Sequence, residues 1–381
     1  MSKAEWEFGF VLPNLVLPSE LSDTNPGAWV NGIAIGSAPI AIVRNGDPRV
    51  VAMRRESAAV RQILESFRDE YGKAYGPALL ILRKDAPETI RHSLETIVAF
   101  RNLVAMSIVL PGRAAVAKGG GSSAITWSDT FDFHPAQVGR SGRMVLQSPA
   151  VTSLVSDTDK LRLTHSAYVK PEGRRIWPDH YLLRAMGRAW LRRFAGNYAT
   201  ESFGDRLFRS LEAAYQASAI GAKNEGSLAE YGIQVSLWVS AAEILAWPER
   251  KHADLEAVLA LLRKYPSRPS SRKRRFRLRL RKKTVKLDAL QRTYVQLNRA
   301  RNAFLHGNPV GYGDMIVGRG EERMGLPRVA ALVYRAALVA YLDRRYPKEI
   351  CTMRELGERS DELFGDSAYE EALARLYGYE L

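Results

Sequence analysis

Leu297-Asn298-Arg299-Ala300-Arg301-Asn302-Ala303-Phe304-Leu305-His306-Gly307-Asn308-Pro309 closes an amphipathic run that begins near Val285. Leu287, Leu290, Tyr294, Leu297, Arg301 and Phe304 recur at three-to-four spacing, the buried stripe of a helix. The pattern predicts a helix over Val285–His306. Gly307 suits a left-handed C-terminal position, and Pro309 prevents continuation. Arg301 takes a stripe position that is otherwise apolar. A charge buried there needs a partner, and a carboxylate such as Glu243 is one candidate. Asn302 and His306 lie four apart and share the neighbouring face. Arg301 and His306 differ by about 140° around an ideal helix. They act on one substrate only if the helix end is distorted or a second chain completes the site. A histidine in a last turn is also favoured by the helix dipole, which accounts for His-Gly-Asn-Pro with no catalysis. The same Arg–His spacing recurs at Arg175 and His180, where Pro178 interrupts any helix.

Working outward, helical periodicity covers Asp179–Ala195, Ser202–Ala219, Ser227–Trp247, Asp254–Lys264 and Leu326–Tyr346, with Pro248 and Pro266 as stops. The first half reads differently. Ile33-Ala34-Ile35, Ile40–Val43 and Leu79–Leu82 are short apolar runs bounded by Gly or Pro, as strands are. Asn45-Gly46 is a hairpin signal. Ser57–Tyr71 and Pro87–Leu110 carry helical periodicity. The expected fold class is α+β: a mixed α/β domain of unknown role (1–165), a connecting segment and helix (166–200), an all-α helical bundle (201–346) and an acidic C-terminal tail (347–381). From Glu349 onward the tail holds nine acidic and three basic residues; it either covers a basic surface or is solvated. Gly311, Gly313, Gly318 and Gly320 predict a mobile loop after the His306 motif.

Basic residues number 56 against 41 acidic, a formal charge of +15, and 42 of the 56 are arginine. Arginine pairs with phosphate through a planar fork, although a codon bias gives the same excess. Between Glu256 and Asp288 there is no acidic residue and 13 basic ones. This insertion, 263–286, includes Arg275-Phe276-Arg277-Leu278-Arg279-Leu280-Arg281, whose period of two predicts an extended arm or edge strand. Arg272, Lys273, Arg274, Arg275, Arg277, Arg279, Arg281, Lys282 and Lys283 are the candidate nucleic-acid contacts. A solvated loop, or an arm for an acidic partner, fits the same composition.

Asp129, Asp132 and His134 are a weaker metal candidate, since Ser128–His134 also reads as an alternating strand; no metal is expected. Gly119–Ser123 reads as a flexible loop and lacks the Lys-Ser/Thr ending of a phosphate-binding loop. Cys351 is the sole cysteine, so no intramolecular disulfide forms, as expected in a reducing cytoplasm. The N-terminus has no signal pattern. The longest apolar run, around Leu103–Leu110, is far short of the roughly 20 residues of a membrane span. The expectation is a cytoplasmic protein without membrane contact.

Arg301-Asn302 followed by His306-Gly307, late in an amphipathic helix of a bundle, resembles the HEPN superfamily (higher eukaryote and prokaryote nucleotide-binding domains). Ser236-Leu237-Trp238-Val239-Ser240-Ala241-Ala242-Glu243-Ile244-Leu245 is similar to the second helix of many bacterial members. The resemblance covers roughly residues 200–346 and implies a bundle of HEPN type, from which the basic insertion departs. It implies a metal-independent endoribonuclease without cofactor, acting as a homodimer with a shared cleft. His306 is then the general acid/base, Arg301 stabilises the phosphorane, and Asn302 orients the phosphate or the histidine. Attack by the ribose 2′-hydroxyl confines the reaction to RNA and leaves a 2′,3′-cyclic phosphate. A toxin or phage-defence role, with a trigger or regulator bound by the first domain, belongs to the same expectation. The alternative is a non-catalytic nucleic-acid-binding or regulatory member of the family.

Overall fold

The computed structural model describes residues 6–17, 32–34, 38–69, 71–119, 125–138, 144–147, 152–154, 163–165, 178–196, 202–220, 226–247, 254–266, 275–280, 283–318, 320–346 and 366–379. The fold is mixed α/β, with small, mostly antiparallel sheets toward the N-terminus and helices dominant toward the C-terminus. Two compact units form: residues 1–101, 129–175 and 194–197, and residues 102–128, 176–193 and 198–381.

In the first unit, β1 (Trp6–Leu12), β2 (Gly32–Ala34), β3 (Ile40–Val43) and β5 (Ala78–Arg83) make an antiparallel sheet in the order β1-β5-β3-β2. The central strands β3 and β5 are buried nearly throughout. That is why they read as continuous apolar runs and not as alternation. Val11, Ala41, Val43, Leu79 and Ile81 share a core with Val50 and Met53 of α1 (Pro48–Glu56) and Val60, Ile63 and Leu64 of α2 (Ala58–Glu65). Asn45-Gly46 is a turn, but it leads into α1 and not into a hairpin. Asp47 caps that helix by accepting from the Arg49 N–H at 2.9 Å, and Pro48 presets its first turn. The helix predicted over Ser57–Tyr71 stops at Glu65. Asp69 then accepts from the Tyr71 and Lys73 N–H groups and turns the chain, after the short strand β4 (Phe67–Asp69), which pairs in parallel with β9 (Leu163–His165). Strands β6 (Ala136–Val138), β7 (Met144–Gln147) and β8 (Thr152–Leu154) form an antiparallel meander.

Ser128–Phe131 is a 3₁₀ turn and not the strand that alternation predicts. Asp132 faces Arg101 at 3.9 Å, and His134 is buried edge-on against Phe67, ring centroids 5.3 Å apart. Among the described residues no three His, Cys, Asp or Glu side chains gather to hold a metal. The helix predicted over Pro87–Leu110 is instead a short turn, α3 (Glu88–Arg91), followed by α4 (Leu94–Ala117), which runs through Pro111. At 24 residues α4 is long and apolar enough to cross a membrane, longer than its densest apolar run indicates, and 83% of its most apolar window is buried.

The second unit is helical. It holds α5 (His180–Trp190), α6 (Ser202–Ile220), α7 (Leu228–Ala246), α8 (Leu255–Leu262), α9 (Ala289–Leu305), α10 (Leu326–Asp343) and α11 (Asp366–Tyr377). Asp179, Ser227 and Asp254 cap α5, α7 and α8, as expected of such residues just before a helical period. Helix α10 is buried on nearly every side. Its one buried charge, Arg335, uses all three nitrogens: Nε and Nη2 donate to Asp179 Oδ2 at 3.1 and 2.8 Å, and Nη1 donates to the Tyr265 hydroxyl at 3.2 Å. The guanidinium also lies 3.9 Å from the Tyr369 ring centroid. The C-terminal tail therefore contributes a helix with buried Tyr369, Leu373, Leu376 and Tyr377, although its sequence is acidic.

Candidate functional site

Helix α9 carries the Arg301–His306 motif. It starts at Ala289, later than predicted, because Val285 pairs across a two-stranded ribbon: β10 (Phe276–Leu280) with β11 (Lys283–Leu287). Asp288 and Gln291 cap the helix reciprocally. Its end is a Schellman turn. The Gly307 N–H donates to Phe304 O at 3.3 Å, and the Asn308 N–H donates to Ala303 O at 3.0 Å. Gly307 takes φ +67°, which glycine adopts at no steric cost. Close packing sets the helix against α7. A Cβ on Gly232 would lie 2.3 Å from the Phe304 ring, so α7 offers bare backbone there.

Arg301 is 26% exposed and Glu243 17%. Arg301 Nη1 donates to Asn302 Oδ1 at 3.0 Å, and its Nη2 lies 3.5 Å from Glu243 Oε2. Its Nε is buried with no hydrogen-bond partner. Asn302 Nδ2 donates to Asn298 Oδ1 at 3.2 Å, and the Asn302 carbonyl accepts the His306 N–H at 3.0 Å. Asn302 thus ties the guanidinium to the histidine's backbone. The His306 side chain is exposed at the helix end. Within one chain the guanidinium is engaged by Asn302 and Glu243 and not by His306.

Burial raises the Glu243 pKa, and Arg301 opposes the shift. The Tyr294 hydroxyl is buried with no partner at bonding geometry. Its pKa is pushed well up by burial and by Glu243, with Arg301 and Asn298 working against the shift. The site is thus a half-buried, incompletely bonded polar cluster beside an exposed imidazole. Tyr294 lies within a stripe that reads as core, and Asn298, next to the stripe position Leu297, has no spacing that sets it apart.

The ribbon's alternation sorts its faces. Arg277 stands opposite Lys286, and Arg279 opposite Thr284, all exposed, while Phe276, Leu278, Val285 and Leu287 are partly or fully buried. Arg275 lies 3.7 Å from Asp288, and Lys283 is exposed. Arg272, Lys273, Arg274, Arg281 and Lys282 fall outside the described residues. Two contacts hold the ribbon to α9: the Arg292 guanidinium sits 4.7 Å from the Phe276 ring centroid, and Arg299 Nη2 donates to Arg279 O at 2.9 Å. A cavity of about 250 Å³ at the ribbon's base is lined by Arg263, Arg275, Asp288 and Glu370 among others. Its charges balance, so it has no evident preference for anions. Compared with family models, with curated proteins and with solved structures, the chain finds no match.

Proposed function

We propose that this chain is a HEPN-type endoribonuclease that cleaves RNA by 2′-hydroxyl attack at the C-terminal end of α9. The observation that carries this reading is a partly exposed, incompletely bonded Arg301, grouped with Asn302 and Glu243 on the helix that ends at the exposed His306. Arg335, buried in the same bundle, has every nitrogen used, and Arg113, which also leaves one nitrogen unbonded, is buried away from solvent. Arg301 keeps a buried Nε without a partner and a loose 3.5 Å contact to Glu243, next to an exposed imidazole.

The chemistry follows from the residue types. His306 takes the proton of a ribose 2′-hydroxyl, imidazole being suited to proton transfer near neutral pH. The 2′-oxygen attacks the adjacent phosphorus, and Arg301 offsets the charge of the phosphorane. The bond to the 5′-oxygen breaks, that oxygen takes a proton, and a 2′,3′-cyclic phosphate remains. The attacking group belongs to the substrate, so the step requires no metal. Because positions 301 and 306 differ by about 140° around a helix, a homodimer that sets His306 of one copy by Arg301 of the other completes the site. A role as toxin or phage-defence effector, triggered through the first unit, is part of this proposal.

A second reading is favoured by the α9 cap. The Schellman turn explains His-Gly-Asn without catalysis, leaving a nucleic-acid binder that works through its ribbon. Cleavage of end-labelled RNA in EDTA by wild type and His306→Ala decides between them. The nuclease reading expects cyclic-phosphate ends from wild type and a loss of about 10²-fold or more in the variant. Binding by both proteins with cleavage by neither favours the binder.

A further inference from the structure

We infer that the ribbon and the C-terminal end of α9 form one continuous track that leads a single-stranded RNA to His306, with Arg299 as the positioning residue between them; this rests on the endoribonuclease reading. Phe276 meets Arg292, and Arg279 meets Arg299. Along α9 the step from Arg292 to Arg299 is about 10.5 Å. Along an extended strand the step from Phe276 to Arg279 is about 10 Å. The lengths match, so β10 lies beside α9, runs in the same direction, and its Leu280 end lies toward the His306 end of the helix.

Helical phase then extends the track. Arg292, Arg299 and His306 are each seven residues apart, which returns to the same helix face within about 20°. Arg299 is exposed, and His306 follows about 10 Å further along that face. The exposed face of the ribbon carries Arg277, Arg279 and Lys286, and no carboxylate among the described residues pairs with them. Arg277 stands directly opposite Lys286, an arrangement that destabilises a bare ribbon and that a polyanion relieves. The occupant is single-stranded because the 2′-hydroxyl must swing into line with the phosphate, and because an open cationic groove follows a flexible backbone.

The test uses the full-length protein and a short labelled 2′-O-methyl RNA strand, which binds but has no free 2′-hydroxyl to attack. Arg277→Gln/Arg279→Gln/Lys286→Gln should weaken binding about tenfold or more and lower the slope of log affinity against log salt by about 2. Arg299→Gln should lower that slope by about 0.7, and Arg299→Lys should keep it, since a point charge suffices for phosphate. The bound strand should slow diethylpyrocarbonate modification of His306, read by peptide mapping, in wild type but not in the triple variant. Circular dichroism checks that each variant is folded; all four positions are exposed. Wild-type affinity in the triple variant overturns the track. So does binding that leaves His306 unprotected, or equal affinity for duplex DNA. None of these readouts needs cleavage, so a failed nuclease assay and a failed track remain separate results.

Discussion

Two arginines on adjacent helices of one bundle meet opposite fates. Arg335 of α10 is 1% exposed and bonded at every nitrogen. Arg301 of α9 is 26% exposed, with one long ion pair and an orphaned Nε. Full bonding offsets the desolvation of Arg335; Arg113, also buried but with its Nη2 unbonded, has its pKa lowered to about 9 by burial. A charge at a helix end beside solvent tolerates incomplete bonding, and so remains able to meet a ligand.

The comparison breaks first at Arg335. Arg335→Met leaves Asp179 buried without its cation, and urea unfolding should register a loss of about 3–5 kcal/mol. A loss below about 1 kcal/mol would remove the contrast. Arg301→Met should behave in the reverse way: stability within about 1 kcal/mol of wild type, but RNA cleavage lower by about 10²–10³. An equal stability loss at both sites would make Arg301 structural too.

Gly232→Ala sharpens the comparison from the side of packing. The new methyl group meets the Phe304 ring, displaces the end of α9 and should cost about 1–3 kcal/mol, read by thermal or urea unfolding. Full stability would mean that α7 and α9 are not held as closely as described. The smallest effect is expected at Glu243. Its folded pKa is raised, chiefly by burial. The folded state therefore holds this proton more tightly than the unfolded chain. The resulting stabilisation is full below the ordinary carboxylate range and fades as pH rises through the raised value. Glu243→Gln should flatten that decline in a stability profile at acid to neutral pH. An unchanged slope would show that Glu243 does not contribute to it.

Much of the helical unit was legible. Helices α5 to α8 and α10 start within about two residues of their expected positions, inside the usual scatter of helix boundaries, because cap residues and proline stops act locally. The ends of α2 and the start of α9 were not. Val285 fits a helical period as well as a strand, and only its pairing with Leu278 decides. Of the candidate site, Arg301, Asn302 and His306 drew notice by their place late in an amphipathic helix and by the family resemblance. Arg299 was within reach of the same reasoning, seven residues before His306. Tyr294 and Asn298 were not: a stripe position such as Tyr294 reads as core whether or not its polar atom finds a partner, and Asn298 has no spacing that sets it apart. Tyr369 and Tyr377 were hidden because the tail's acidic composition masks a helix with a buried face.

Sequence alone was enough for the capped starts of α5, α7 and α8, the alternation of the ribbon and the charge of its exposed face. These follow from caps, periodicity and the side chains present. Tertiary structure alone decided which arginine was fully satisfied, which end of α9 the ribbon approaches, and that Arg301 meets Glu243 of α7. Those outcomes depend on neighbours distant in sequence. Asp179 reaches Arg335 and Glu243 reaches Arg301 across long chain separations, and no local pattern encodes how well such a pair will close.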